Sequence, residues 1–227
     1  MAIIVGNKTA SAANPSGSTQ TLAHSMAVGA NGALLICVTA NNSSGKQIGS
    51  VTYGGQAVAL QSYMNNSTFQ QSQGIYLLNN PPTGSNNIVV TYTGGSQFNK
   101  TSIFACSLTG AGVSLSTGGV GATAATPNSS TLNNVLPDDL VFASGVANVA
   151  PQPYTIDGVA NLPFQFNHNI NKRVGGALLL RSGSGSTPAN IVVITKSSSG
   201  SVSNHKISIR AASSTPTTNT GNFFLCM

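Results

Sequence analysis

Large apolar residues in this chain come in short runs, and Gly, Ser, Thr and Asn separate them. Ala33-Leu34-Leu35-Ile36-Cys37-Val38 and Ile191-Val192-Val193-Ile194 are the clearest. Runs of this length, rich in β-branched residues and bounded by turn formers, predict strands. They fall near 2–5, 19–26, 33–40, 47–53, 56–62, 73–79, 87–93, 101–108, 113–120, 139–147, 162–167, 174–181, 190–196, 205–211 and 222–226. No window reads as a helix, because good helix formers are scarce and Gly, Ser, Thr and Asn interrupt every turn. The expected fold class is all-β: an antiparallel, jelly-roll-like β-sandwich.

Several connections carry their own mechanism. Gly54-Gly55 lies between Val51-Thr52-Tyr53 and Gln56-Ala57-Val58. Two glycines supply the positive φ of a tight hairpin. Asp157-Gly158 is a second hairpin signal, and Asn79-Asn80-Pro81-Pro82 closes a strand with residues that cannot extend a ladder.

The pattern also repeats weakly. Gly74-Ile75-Tyr76-Leu77-Leu78, Ile88-Val89-Val90 and Ser102-Ile103-Phe104 are followed 102 to 104 positions later by Gly176-Ala177-Leu178-Leu179-Leu180, Ile191-Val192-Val193 and Lys206-Ile207-Ser208. Such a steady offset predicts two structurally similar halves, about 31–120 and 137–211. Residues 2–5 and 19–26 show no counterpart in the second half. That favours one sandwich domain over 1–227 rather than two in tandem, with 121–136 as a linker and 212–227 as a docking tail.

Composition narrows the chemistry. Charged residues are 5% of the 227, against about 25% in an ordinary globular protein. The acids are Asp138, Asp139 and Asp157, with no Glu. Paired-carboxylate hydrolysis and a strong calcium site lack the groups they need. The Asp residues read as turn formers. No GxSxG elbow occurs, and His24, His168 and His205 read as edge or loop residues rather than bases. Cys37, Cys106 and Cys226 show no zinc spacing, so they read as buried thiols. The expectation is therefore no enzyme, no cofactor and no metal.

The formal charge of +6 is spread along the chain and forms no basic arm, which argues against nucleic acid as partner. No apolar stretch approaches a membrane span, and the start lacks the cationic region of a signal peptide. Two surface features point outward. Ile3, Ile4 and Val5 at one end and Phe223, Phe224 and Leu225 at the other are candidates for docking on a neighbour. Tyr53 and Tyr63, near turns, are candidate contacts for a host glycan, since aromatic faces stack on sugar rings.

Three segments together carry a family resemblance. They are Val51-Thr52-Tyr53-Gly54-Gly55-Gln56-Ala57-Val58, then Tyr76-Leu77-Leu78-Asn79-Asn80-Pro81-Pro82-Thr83-Gly84 with Asn87-Ile88-Val89-Val90-Thr91, then Ala105-Cys106-Ser107-Leu108-Thr109-Gly110. They resemble β-sandwich modules of tailed-phage virion proteins and bacterial surface proteins. The likeness is clear over about 33–110. The acidic loop usual after the third segment is replaced by Gly112-Val113-Ser114-Leu115. The resemblance implies a display or attachment role and carries no catalytic residues. The leading expectation is a phage virion structural protein made in the host cytoplasm and placed on the virion surface, as an outer capsid decoration or cement protein. Its expected partners are the major capsid protein or tail proteins, and further copies of itself in a homo-oligomer. The alternatives are a tail-tip or fibre module that binds a receptor or glycan, and a capsid shell protein with a single jelly roll.

Overall fold

The computed structural model describes residues 3–13, 17–27, 32–41, 47–66, 71–94, 100–123, 128–133, 139–147, 154–156, 164–170, 172–180, 191–196 and 202–212. All the elements they form are strands. The first nine are β1 (Ile4–Ala13), β2 (Thr19–Met26), β3 (Ala33–Asn41), β4 (Gln47–Tyr53), β5 (Gln56–Ala57), β6 (Ala59–Asn66), β7 (Gln71–Asn79), β8 (Gly84–Thr93) and β9 (Lys100–Thr109). The second eight are β10 (Ala111–Thr123), β11 (Asn128–Asn133), β12 (Leu140–Ala147), β13 (Tyr154–Ile156), β14 (Phe164–Ile170), β15 (Lys172–Leu180), β16 (Ile191–Lys196) and β17 (Val202–Ala211).

They assemble into four sheets. Sheet I has the order β1-β9-β3-β7-β6 and sheet II the order β2-β8-β4-β5. Sheet III has β10-β17-β12-β15-β14 and sheet IV β11-β16-β13. The pairings are antiparallel, as in the Leu34↔Leu78 and Leu34↔Ser107 ladders that flank β3. The chain alternates between sheets I and II, crossing from β3 to β4 and from β7 to β8, which gives the antiparallel β-sandwich with jelly-roll-like order.

Sheets III and IV repeat this plan in every strand but β5. The strand β10 takes the place of β1, β17 that of β9, β12 that of β3, β15 that of β7 and β14 that of β6. Likewise β11, β16 and β13 stand for β2, β8 and β4. The segments around 2–5 and 19–26 therefore do have counterparts, β10 and β11. The linker expected over 121–136 is also corrected, since it contains the end of β10 and all of β11. Its hydroxyl-rich sequence hid a strand whose partner, Ile191–Lys196 of β16, supplies most of the apolar residues. The strand expected at 222–226 and the Asp157-Gly158 turn lie outside the described residues.

The central strands of sheet I are buried on both faces, which explains the continuous apolar run in β3. One face carries Leu34, Ile36, Val38 and Ala40 with Ile103 and Ala105, packed against Val51, Tyr53, Ile88 and Val90 of sheet II. The other carries Leu35, Cys37, Ile75, Phe104, Cys106 and Leu108, packed against Leu140, Phe142, Ile207 and Ile209 of sheet III. Period-two alternation thus divides one run between two cores. At the centre of the second core Phe104 stacks on Phe142 with centroids 5.7 Å apart and planes 4° apart. A polar knot lies in the same layer: Gln73 Nε2 donates to Ser144 Oγ (2.6 Å) and Thr39 Oγ1 (3.2 Å), and Cys37 Sγ donates to Ser144 (3.3 Å).

The glycine hairpin forms as expected. Gly54 and Gly55 have φ of 54° and 82°, and Tyr53 pairs with Gln56. Positive φ at both central residues is the twist that matches flanking strands. Edge strands carry irregularities that discourage further pairing: the register shifts in β1 between Val5 and Lys8, and in β6 between Leu60 and Ser62.

Candidate functional site

Sheet I has five strands, but sheet II ends on β5, a strand of two residues. The inner side of β6 and β7 is therefore covered incompletely. Val58 carries the chain from β5 across to β6, its amide held on Val51 O at 2.9 Å. A cleft of about 350 Å³ opens there. Its walls include Gln47 and Ser50 from β4, Val58 from the β5–β6 connection, Leu60 and Tyr63 from β6, and Tyr76 from β7. That volume is at the lower end of the roughly 300–1,000 Å³ of small-molecule clefts.

Two irregularities shape it. The β4–β8 register shifts between Ile48 and Ser50, and the β6–β7 register shifts between Leu60 and Ser62. Such bulges re-aim side chains next to functional sites. Tyr76 is fixed by a close approach: a Cβ on Gly74 would meet its Cε2 at 2.6 Å, so only glycine lets the ring lie back over that position. Burial, reinforced by the neighbouring Tyr63, pushes the Tyr76 hydroxyl above its ordinary range. Leu60 is 51% exposed at the rim, while Val58 and Tyr76 are buried. Tyr63 is half-buried, and its hydroxyl oxygen is sealed from solvent with no hydrogen-bond partner among the described residues. What Tyr63 shows to solvent is therefore the hydrocarbon of its ring.

The two candidate glycan contacts separate. Tyr63 lines the cleft, but Tyr53 is fully buried. Its hydroxyl donates to His24 O (3.0 Å) and Gly84 O (3.2 Å), so it serves the core rather than a ligand. The N-terminal docking residues separate too. Ile3 is fully buried in the core between sheets I and III, and Val5 packs against the same core. Ile4, between them, is 64% exposed. Alternation allows only one of the three to face outward, so Ile3 and Val5 are not free to dock on a neighbour and Ile4 alone is exposed. Phe223, Phe224 and Leu225 lie outside the described residues.

His24, expected at an edge, is buried instead. It bridges the two sheets of the first sandwich. Its Nε2 is hydrogen-bonded with Ser107 Oγ on β9 (2.9 Å) and its Nδ1 with Thr9 Oγ1 on β1 (2.8 Å), and Ser107 Oγ also lies 3.3 Å from Ser25 O. The cluster is a cross-sheet tie. Burial holds the His24 pKa below its ordinary value of 6.5.

The sequence carries a signal for this burial. Gln20, Leu22, His24 and Met26 alternate on one face of β2, and that face is inward. Gln20 is satisfied in the same way, accepting from Tyr92 (2.7 Å) and Thr101. Asp139 is not a turn residue: it is buried at the start of β12, and Arg210 Nε of β17 lies 3.6 Å from its carboxylate. Burial pushes the thiols of Cys37 and Cys106 up to about 11 and about 12, so both stay protonated. Among the described residues no group of three or more His, Cys, Asp or Glu is placed to hold a metal, and no helix is long and apolar enough to cross a membrane.

Comparison of the chain with family models, with curated proteins and with solved structures finds no match.

Proposed function

We propose that this chain is a structural protein of a phage virion, an outer capsid decoration or cement protein that acts through the surface it covers. The observation that supports this reading is the way the apolar residues are used. The central strands of sheet I are buried on both faces, one against sheet II and the other against sheet III of the second half, and the chain carries few charges. Copies with so little charge do not repel one another when packed side by side on a particle. The edge bulges in β1 and β6 oppose strand-to-strand fusion of those copies, so contacts with the major capsid protein, and within a homo-oligomer, fall to side chains such as Ile4. Quantitative mass spectrometry of purified particles tests the proposal. A copy number comparable with that of the shell protein supports it; absence from the particle overturns it.

A second reading, an attachment module at a tail tip or fibre, is favoured by the cleft that Tyr63 lines. It predicts a low copy number confined to the tail. A shell protein with a single jelly roll fits less well, because the strand order of the first half recurs in the second.

A further inference from the structure

We infer that the cleft between β4 and β6 binds one neutral sugar ring. The inference gives the attachment reading its ligand class, and only its biological use rests on that reading. The cleft has two unlike sides. On β6, exposed Leu60 and the ring of Tyr63 make a hydrocarbon wall, continued inward by buried Val58. On β4, Gln47 and Ser50 are exposed and carry an amide and a hydroxyl to the rim. A pyranose has the matching division: a face of C–H groups, and hydroxyls around its edge that both donate and accept. Amide and hydroxyl side chains also both donate and accept.

Charge narrows the class further. None of the described residues that line the cleft is charged. A carboxylated or amino sugar would lose hydration there without gaining an ion pair, and that cost disfavours it. The walls are also held in place before any ligand arrives. Gly74 lets the Tyr76 ring settle behind Tyr63, and the β4 and β6 bulges set the side-chain directions. Pre-organised walls reduce the ordering cost of binding. For a ligand of so few atoms, affinities in the roughly millimolar range are expected.

The test uses the full chain, labelled with ¹⁵N and titrated with methyl glycosides of neutral hexoses, of N-acetylhexosamines, and of their uronic acid and free amino counterparts. At least one neutral glycoside is expected to give saturable shifts centred on Gln47, Ser50 and Leu60. Leu60→Asp and Gln47→Ala alter exposed positions and should leave the melting temperature unchanged. Each is expected to weaken binding, Leu60→Asp by more than tenfold. The inference is overturned if no neutral glycoside binds, if Leu60→Asp binds as tightly as the parent, or if the charged sugars bind tighter than the neutral ones. Locating the chain on imaged particles decides the attachment reading separately: a position away from the tail ends that reading while the titration still decides the cleft.

Discussion

Ile3, Ile4 and Val5 are near-identical in chemistry, yet the pleat gives them different work. Ile3 and Val5 face the core and Ile4 faces solvent. Ile3→Asp would bury a charge without a partner, and a loss of about 4 kcal/mol or more is expected by denaturant unfolding. Ile4→Asp should change stability by no more than about 0.5 kcal/mol. If Ile4 makes the particle contact, that same substitution lowers the occupancy of the chain on particles. His24 gives the second expectation at this scale. Its folded pKa lies below that of the unfolded chain, so the unfolded state binds more protons between the two values. Stability from this group is complete above pH 6.5 and declines as the pH falls through that value, levelling off below the folded pKa. Urea titrations from pH 8 to 5 should show the decline, and His24→Gln should flatten it. Both residues were legible in part. Alternation along β2 places His24 on the face of Leu22 and Met26, but the hydroxyls of Thr9 and Ser107 that satisfy it come from strands 15 and 83 positions away.

At the level of strands and turns, local sequence was a good guide wherever apolar residues clustered. The runs at 19–26 and 47–53 form strands over the same residues, and the Gly54-Gly55 turn closes as its chemistry requires. Failures fell on elements whose apolar partners lie elsewhere. The strand β11 is Asn-Ser-Ser-Thr-Leu-Asn and pairs with the apolar β16, so the duplex has a hydrophobic pattern that β11 alone lacks. The single strand expected over 56–62 is broken at Val58, because the chain changes sheets there. That crossing also opens the cleft, which no local pattern announces.

Across the whole molecule, the weak offset of 102 to 104 positions turns out to be a duplication of strand order through sheets I to IV. The halves meet through Phe104, Phe142, Leu35 and Ile207 in one core, so they are expected to unfold together. Phe142→Ala removes half of the stacked pair, at an expected cost of roughly 3–5 kcal/mol. It should also split the single calorimetric transition into two, as the shared layer loosens. A parent protein that already melts in two steps would show that the halves are independent. Composition and periodicity alone were enough to establish an all-β chain, poor in acids, with two related halves, because strand propensity, turn chemistry and charge are properties of neighbouring residues. Which residues face inward in each layer, that His24 and Asp139 are buried with partners, that Tyr53 belongs to the core and Tyr63 to a cleft, were decided by the packing of sheets. Those outcomes depend on strands far apart in the chain, and burial is settled only when the sheet that covers a face has been put in place.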